Sequence, residues 1–202
     1  MSGQPRFTII SAVYNVSRYL AEFIDSIDTQ EFDLDRVEVI LVDDGSTDSS
    51  REIVSAYAER DDHIRLIEQA NSGVSAARNA GLDAATGEFV MFVDADDWIE
   101  PNTLQLMLDA MQNGDQSLDF TSCGYWIDYP NAPVIGPPLT QFQGVLDTSD
   151  GLKSVLGTRQ RFAVTRLYRR HLIGSTRFRT DIHWGEDTIF VVEVARRAEA
   201  SA

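Results

Sequence analysis

The sequence predicts an α/β fold: a mostly parallel central sheet flanked by helices on both faces. Three observations carry that expectation. Apolar, β-branched runs alternate with helix-length amphipathic stretches through the first half of the chain. Those runs are continuous rather than alternating, which suits strands covered on both sides. Carboxylates cluster where the strands end, at Asp43-Asp44 and at Asp94 to Asp97, the edge at which ligands gather in such sheets.

Phe7 to Val13 is the first strand. A helix follows over about Ser17 to Thr29, with Tyr19, Leu20, Phe23, Ile24 and Ile27 on one face. Val37 to Val42 is a second strand, broken by Asp43-Asp44-Gly45-Ser46, and a helix runs from about Asp48 to Arg60. Ile64 to Ile67 is a brief strand. Val74 to Ala85 reads as a helix that stops near Gly87. Phe89 to Val93 is the next strand, and Pro101 suits the first turn of a helix reaching about Met111. Leu118 to Tyr125 reads as another strand. Tyr129 to Gln143, with Pro130, Pro133, Pro137 and Pro138, reads as an irregular connection. A short helix over Asp150 to Leu156, a strand over Ala163 to Tyr168 and a helix from Trp184 to about Arg197 complete the pattern.

The 202 residues suit a single domain, and 43% apolar content can bury a substantial core. With 17 basic and 32 acidic residues the net charge is −15. That balance argues against nucleic acid as a partner, because phosphate backbones need clustered Lys and Arg. A diphosphate stays possible, since a few local arginines, a metal ion or helix N-termini can neutralise it. The lone Cys123 excludes an intramolecular disulfide and argues against a cysteine zinc site. No run reaches the roughly 18 apolar residues of a membrane span. Met1 to Arg6 is polar and carries no signal-peptide pattern. The expectation is a cytoplasmic protein, at most peripheral at the inner face of the plasma membrane.

Four constellations can carry chemistry. In Val42-Asp43-Asp44-Gly45-Ser46-Thr47-Asp48, a carboxylate could accept the imide N–H of a uracil ring or the hydroxyls of a ribose. The local alternative is an Asx turn of Asp44 and Ser46, with Thr47 or Asp48 capping the next helix. In Asp94-Ala95-Asp96-Asp97, three carboxylates within four residues suit a hard divalent cation with oxygen ligands; the alternative is a solvated acidic turn. In Asn71 to Gly81, the small residues Ala77 and Gly81, with Ala84 just beyond, form a close-packing stripe. Arg78 could reach an anionic group or form a helix-face ion pair. In Gly185-Glu186-Asp187, a carboxylate could take a proton from a hydroxyl. Acids in the first turn of a helix also complement its dipole, which would lower their basicity.

Taken together with Val13-Tyr14-Asn15, these pieces resemble the inverting glycosyltransferases of family 2, with their GT-A fold, over about Phe7 to Val192. The resemblance implies that Asp44 binds the base of a nucleotide-sugar, with Tyr14 and Asn15 lining that pocket and Arg78 close to the donor. Asp94 and Asp96 match the DxD motif, Asp94 near the ribose or sugar and Asp96 holding Mn²⁺ or Mg²⁺. Asp187 matches the catalytic base, with Glu186 beside it. The implied donor is a UDP-sugar and the acceptor a saccharide, polyol-phosphate or lipid-linked hydroxyl in cell-surface or cell-wall polymer synthesis. Residues 1–98 would then form the nucleotide-sugar half and 99–202 the acceptor side. Many relatives continue beyond the base-bearing helix, so the chain reads as a stretch of a longer protein. Ala12 and Ser17 stand where the family carries a proline and an acid. A non-catalytic nucleotide-sugar-binding module is the alternative. A dehydrogenase is disfavoured, because the first strand is followed by no Gly-x-Gly-x-x-Gly.

Overall fold

Strand-forming and helix-forming segments alternate as far as the fourth helix, and in three dimensions they sort onto the two faces of one sheet. The structure, a computed structural model, describes residues 7–112, 119–124, 162–182 and 184–200. Its strands are β1 (Phe7–Val13), β2 (Val37–Asp43), β3 (Ile64–Glu68), β4 (Phe89–Phe92), β5 (Phe120–Ser122) and β6 (Arg166–Arg169). Its helices are α1 (Leu20–Asp28), α2 (Ser50–Ala58), α3 (Val74–Ala84), α4 (Thr103–Gln112), α5 (Arg170–Ile173) and α6 (Glu186–Ala200). The sheet order is β3-β2-β1-β4-β6-β5. β1 to β4 pair in parallel, whereas β6 runs antiparallel to both β4 and β5.

The continuous apolar runs divide by alternation. Phe7 and Ile9 of β1, Val39 and Leu41 of β2, and Phe89 and Met91 of β4 pack with Phe23, Ile24 and Ile27 of α1, Val54 of α2 and Leu104 of α4. Ile10, Ile40, Val42, Val90 and Phe92 point the other way, toward Ala77 of α3, Leu172 of α5 and Phe190 and Val194 of α6. Each strand therefore feeds two cores, which is why its pattern shows no polar alternation. Gly81 lets α3 lie directly on the sheet: a Cβ there would collide with the Ile10 side chain.

Chain order places β1 between β2 and β4, so the path reverses direction across β1. In an open α/β sheet that reversal leaves a crevice at the C-terminal ends of the strands. The loops after β1, β2, β3 and β4 all open on that edge.

Some boundaries differ from the sequence expectation for identifiable reasons. α1 starts at Leu20 rather than near Ser17, because the N–H groups of Asn15, Val16 and Ser17 donate to Ser46, Ser50 and Asp48 in the neighbouring loop. α2 starts at Ser50, with the Asp48 carboxylate accepting the Ser50 N–H at 2.9 Å. Hydrogen bonds from Ser50 and Ser17 hold that carboxyl down at about 2. The strand expected over Ala163 to Tyr168 begins as a 3-10 turn, Ala163–Thr165, and continues as β6. The proline-rich connection of Tyr129 to Gln143 and the helix of Asp150 to Leu156 lie outside the described residues.

Candidate active site

The four loops surround one cleft of about 450 Å³. Ala12, Tyr14 and Val16 line it from the end of β1, Asp44 from the end of β2, and Asn71, Gly73 and Val74 from the loop after β3. Asp94, Ala95 and Asp96 line it from the loop after β4, and Arg78 from α3. Of the residues singled out in the sequence, Tyr14, Asp44, Arg78, Asp94 and Asp96 therefore share one wall; Asn15, Glu186 and Asp187 stand outside it.

Asp44 is almost fully buried, yet it is not isolated. Its Oδ1 accepts hydrogen bonds from Gln69 Nε2 at 2.7 Å and the Ser72 N–H at 2.8 Å, and its Oδ2 accepts the Gly73 N–H at 2.8 Å. Gly73 is the N-cap of α3, at φ +90°. Asp44 thus places a negative charge against the positive end of α3 and joins the β2 and β3 loops. The Asx-type turn falls to the preceding residue: Asp43 accepts the Ser46 N–H at 3.2 Å and pairs with Arg51 at 2.9 Å. That frees Asp44 from the local turn.

Tyr14 presents a ring 48% exposed over the cleft. Asn15, next to it, takes φ +54°. Its Oδ1 accepts the Thr47 N–H at 2.8 Å and the Asp48 N–H at 3.3 Å. Asn15 therefore fastens the β1 loop to the β2 loop and sets where Tyr14 sits. Gly45, at φ +74°, lets the same loop approach Asn71, since a Cβ would lie 2.8 Å from the Asn71 nitrogen.

The acidic turn after β4 is closed by the Asp97 N–H donating to the Asp94 carbonyl at 3.0 Å. Asp96 is exposed and, among the described residues, accepts no hydrogen bond and forms no ion pair. Asp97 also points outward; partial withdrawal from water, with Asp94 and Asp96 beside it, pushes its carboxyl up to about 6. No cluster of three or more His, Cys, Asp or Glu among the described residues converges into a closed metal cage. One unpartnered, hard carboxylate on the rim fits a divalent cation that takes most of its oxygen ligands from outside the protein.

Asp187 sits in the first turn of α6. Its Oδ2 accepts the Ala163 N–H at 3.0 Å and its Oδ1 accepts Arg78 Nη1 at 2.7 Å. Arg78 Nη2 donates to Asp94 Oδ1 at 2.8 Å. The helix dipole predicts an acidic Asp187, but burial outweighs it and raises the carboxyl. Asp94 and Glu186 push the same way, against the lowering effect of Arg78 and Ala163. A carboxylate held above its ordinary value is a better proton acceptor. Glu186 is partly exposed beside it and adds charge to the same helix end.

Sequence reasoning missed Gln69, which orients Asp44, and Ala163, Phe178 and Asn79, which frame Arg78 and Asp187. Gln69 stands two residues before the Asn71 segment. Asn79 lies inside the Asn71 to Gly81 segment, but its partner Phe178 and the turn at Ala163 have no motif of their own, so nothing local marks those contacts.

Among the described residues no helix is long and apolar enough to cross a membrane. Residues 8–177 match the family described as Glycosyl transferase family 2. The chain is 39% identical over 202 residues to the Bacillus subtilis (strain 168) glycosyltransferase EpsJ, covering 96% of this chain and 57% of that protein. It is 35% identical over 117 residues to the minor teichoic acid biosynthesis protein GgaB of the same organism, covering 57% of this chain and 13% of GgaB. The crystal structure of S. aureus TarS 1-349 in complex with UDP matches with a TM-score of 0.73 at 28% identity, over 95% of this chain and 55% of TarS 1-349. The complex with UDP-GlcNAc matches with a TM-score of 0.75 at 26% identity, over 95% and 54%. The chain thus spans a little over half the length of EpsJ and of TarS 1-349.

Proposed function

The chain belongs to glycosyl transferase family 2, and on that premise we propose that it transfers a sugar, with inversion, from a UDP-sugar to an acceptor hydroxyl. The observation that carries this reading is the meeting of Asp44, Asp94 and Asp96 in one cleft, with Asp187 tied to it through Arg78. The TarS complexes with UDP and UDP-GlcNAc support a UDP-linked donor. The likeness to GgaB supports an acceptor in cell-surface polymer synthesis.

In this reading residues 1–98 hold the donor and 99–202 form the acceptor side. Tyr14 offers a ring face to the base. Asp44 accepts the imide N–H on a lone pair left free by its three protein donors, and Asn15 holds Tyr14 in place. Asp94 accepts hydroxyls of the ribose or the sugar. Asp96 holds Mn²⁺ or Mg²⁺, which when bound supplies positive charge against the departing diphosphate in a strongly negative protein. The acceptor oxygen attacks the anomeric carbon opposite the leaving group. The new C–O bond forms as the bond to the diphosphate oxygen breaks, and Asp187 takes the hydroxyl proton. Glu186 raises the negative field around that base.

Titration calorimetry of UDP, with and without Mn²⁺, tests the donor site; release of UDP from UDP-sugars tests transfer. Metal-dependent UDP binding with turnover is the expected result. Binding without turnover on any UDP-sugar and acceptor would favour a non-catalytic nucleotide-sugar-binding module. No UDP binding would overturn the reading.

A further inference from the structure

Arg78 sits in an unusual position for a cation facing a ligand cleft. It is 5% exposed. One guanidinium nitrogen donates to Asp187 and the other to Asp94, at 2.7 and 2.8 Å. Its Cζ lies 5.3 Å from the centre of the Phe178 ring. Phe178 is itself immobilised: it stacks on Phe190 with centroids 4.0 Å apart and meets the edge of Phe92 at 5.1 Å. Asn79, the next residue of α3, exchanges two hydrogen bonds with the Phe178 backbone, at 2.9 and 2.8 Å. An aromatic slab, a backbone clamp and two carboxylates therefore fix the guanidinium plane.

A buried arginine is costly unless its charge and N–H groups are matched. Here the match comes from two acids on different elements: Asp94, in the loop after β4, and Asp187, on α6. Each terminal nitrogen donates to one of these carboxylates. The planar fork suits this geometry and an ammonium does not, because a lysine is a point charge that cannot span two fixed acceptors on a flat plane.

We propose that Arg78 is a positioning residue: a strut that holds the donor-side carboxylate Asp94 and the acceptor-side carboxylate Asp187 at a fixed separation, rather than a ligand of the donor phosphates. This rests on the donor and base roles proposed above and adds a coupling between them. Locking both groups before substrate arrives removes a reorganisation step from the reaction.

The test uses Arg78→Lys, which keeps a positive charge in the site, with Arg78→Gln beside it. Three readouts are taken: UDP and uridine affinity by calorimetry, turnover as UDP release from a panel of UDP-GlcNAc, UDP-glucose and UDP-galactose, and melting temperatures. The strut predicts that Arg78→Lys weakens UDP and uridine by the same factor, since any loss comes through Asp94 and the ribose, while kcat falls by about thirtyfold or more. It also predicts that Asp94→Asn and Asp187→Asn have non-additive effects on Tm in the parent and additive effects, within about 1 °C, in the Arg78→Lys background. UDP affinity falling by more than about threefold beyond any loss of uridine affinity would make Arg78 a phosphate ligand and overturn the proposal. Normal turnover in Arg78→Lys, or additive effects of the two Asp substitutions in the parent, would also overturn it. A parent that binds no UDP would defeat the donor reading, while the melting-temperature cycle would still decide the strut.

Discussion

Asp44→Asn isolates what one carboxylate does for the cleft. The substitution keeps shape and volume but replaces one acceptor oxygen by an NH₂ donor. With the amide oxygen at the Oδ1 position, the bonds from Gln69 and Ser72 survive as neutral ones, while the NH₂ faces the Gly73 N–H that now donates at 2.8 Å. The opposite flip opposes two donors instead of one, so the first orientation is the less costly. Losing one hydrogen bond to a charged acceptor costs about 2 kcal/mol, and weakening two others adds about 0.5 kcal/mol each. Water entering from the cleft recovers part of this, leaving about 2 to 3 kcal/mol. For a chain of this size each kcal/mol shifts Tm by about 2–4 °C, so melting should fall by about 4–12 °C. In the proposed function the same change removes the acceptor for the imide N–H, and UDP affinity should drop at least about tenfold. Differential scanning calorimetry and UDP titration measure the two effects separately. An Asp44→Asn chain melting within about 2 °C of the parent would falsify the capping argument. Unchanged UDP affinity alongside a lowered Tm would leave Asp44 a structural residue only.

Asp187→Asn should lower turnover by about 10²–10⁴-fold while UDP affinity stays within about threefold, read by UDP release and calorimetry. Because Asp187 is raised above 3.8 and must be ionised to accept a proton, the rate of the parent should fall as pH drops through a value above 3.8, seen in a pH–rate profile. Asp97, pushed up to about 6, disfavours the charged form on folding: the penalty is absent below 3.8, grows between 3.8 and about 6, and is complete above. The side chain is exposed, so screening limits the effect to about 1 kcal/mol. Asp97→Asn should therefore raise Tm by about 2–4 °C at pH 7.5, with a smaller gain at pH 5. Gly81→Ala drives a methyl group into the Ile10 side chain and should cost about 1–3 kcal/mol, lowering Tm with little change in UDP affinity.

The elements with strong periodicity were readable in the chain itself. β1, β2 and β4 declare themselves as β-branched and aromatic runs, and α1 as an apolar stripe from Leu20 to Ile27. The acids at strand ends were readable as well, because Asp43-Asp44 and Asp94 to Asp97 fall where the apolar runs stop. Element starts were less readable. Whether Ser17 begins a helix depends on whether its N–H has a better acceptor, and that acceptor is Asp48, thirty-one residues away. Which of Asp43 and Asp44 serves the local turn also had no signature in sequence. The choice follows from where Arg51 and the N-terminus of α3 lie in space.

By itself the sequence determined the layered α/β class, the strands that carry acids at their tips and the family to which the chain belongs, because these follow from local periodicity and from motifs contiguous in the chain. Only the tertiary structure decided that Asp187, read as dipole-stabilised from its helix position, is raised by burial, and that Arg78 joins it to Asp94. Desolvation and ion pairing depend on what surrounds a group in three dimensions. Those neighbours come from α3, the β4 loop and the turn at Ala163, segments far apart in the chain that the closing of the two cores onto one sheet brings within hydrogen-bonding distance.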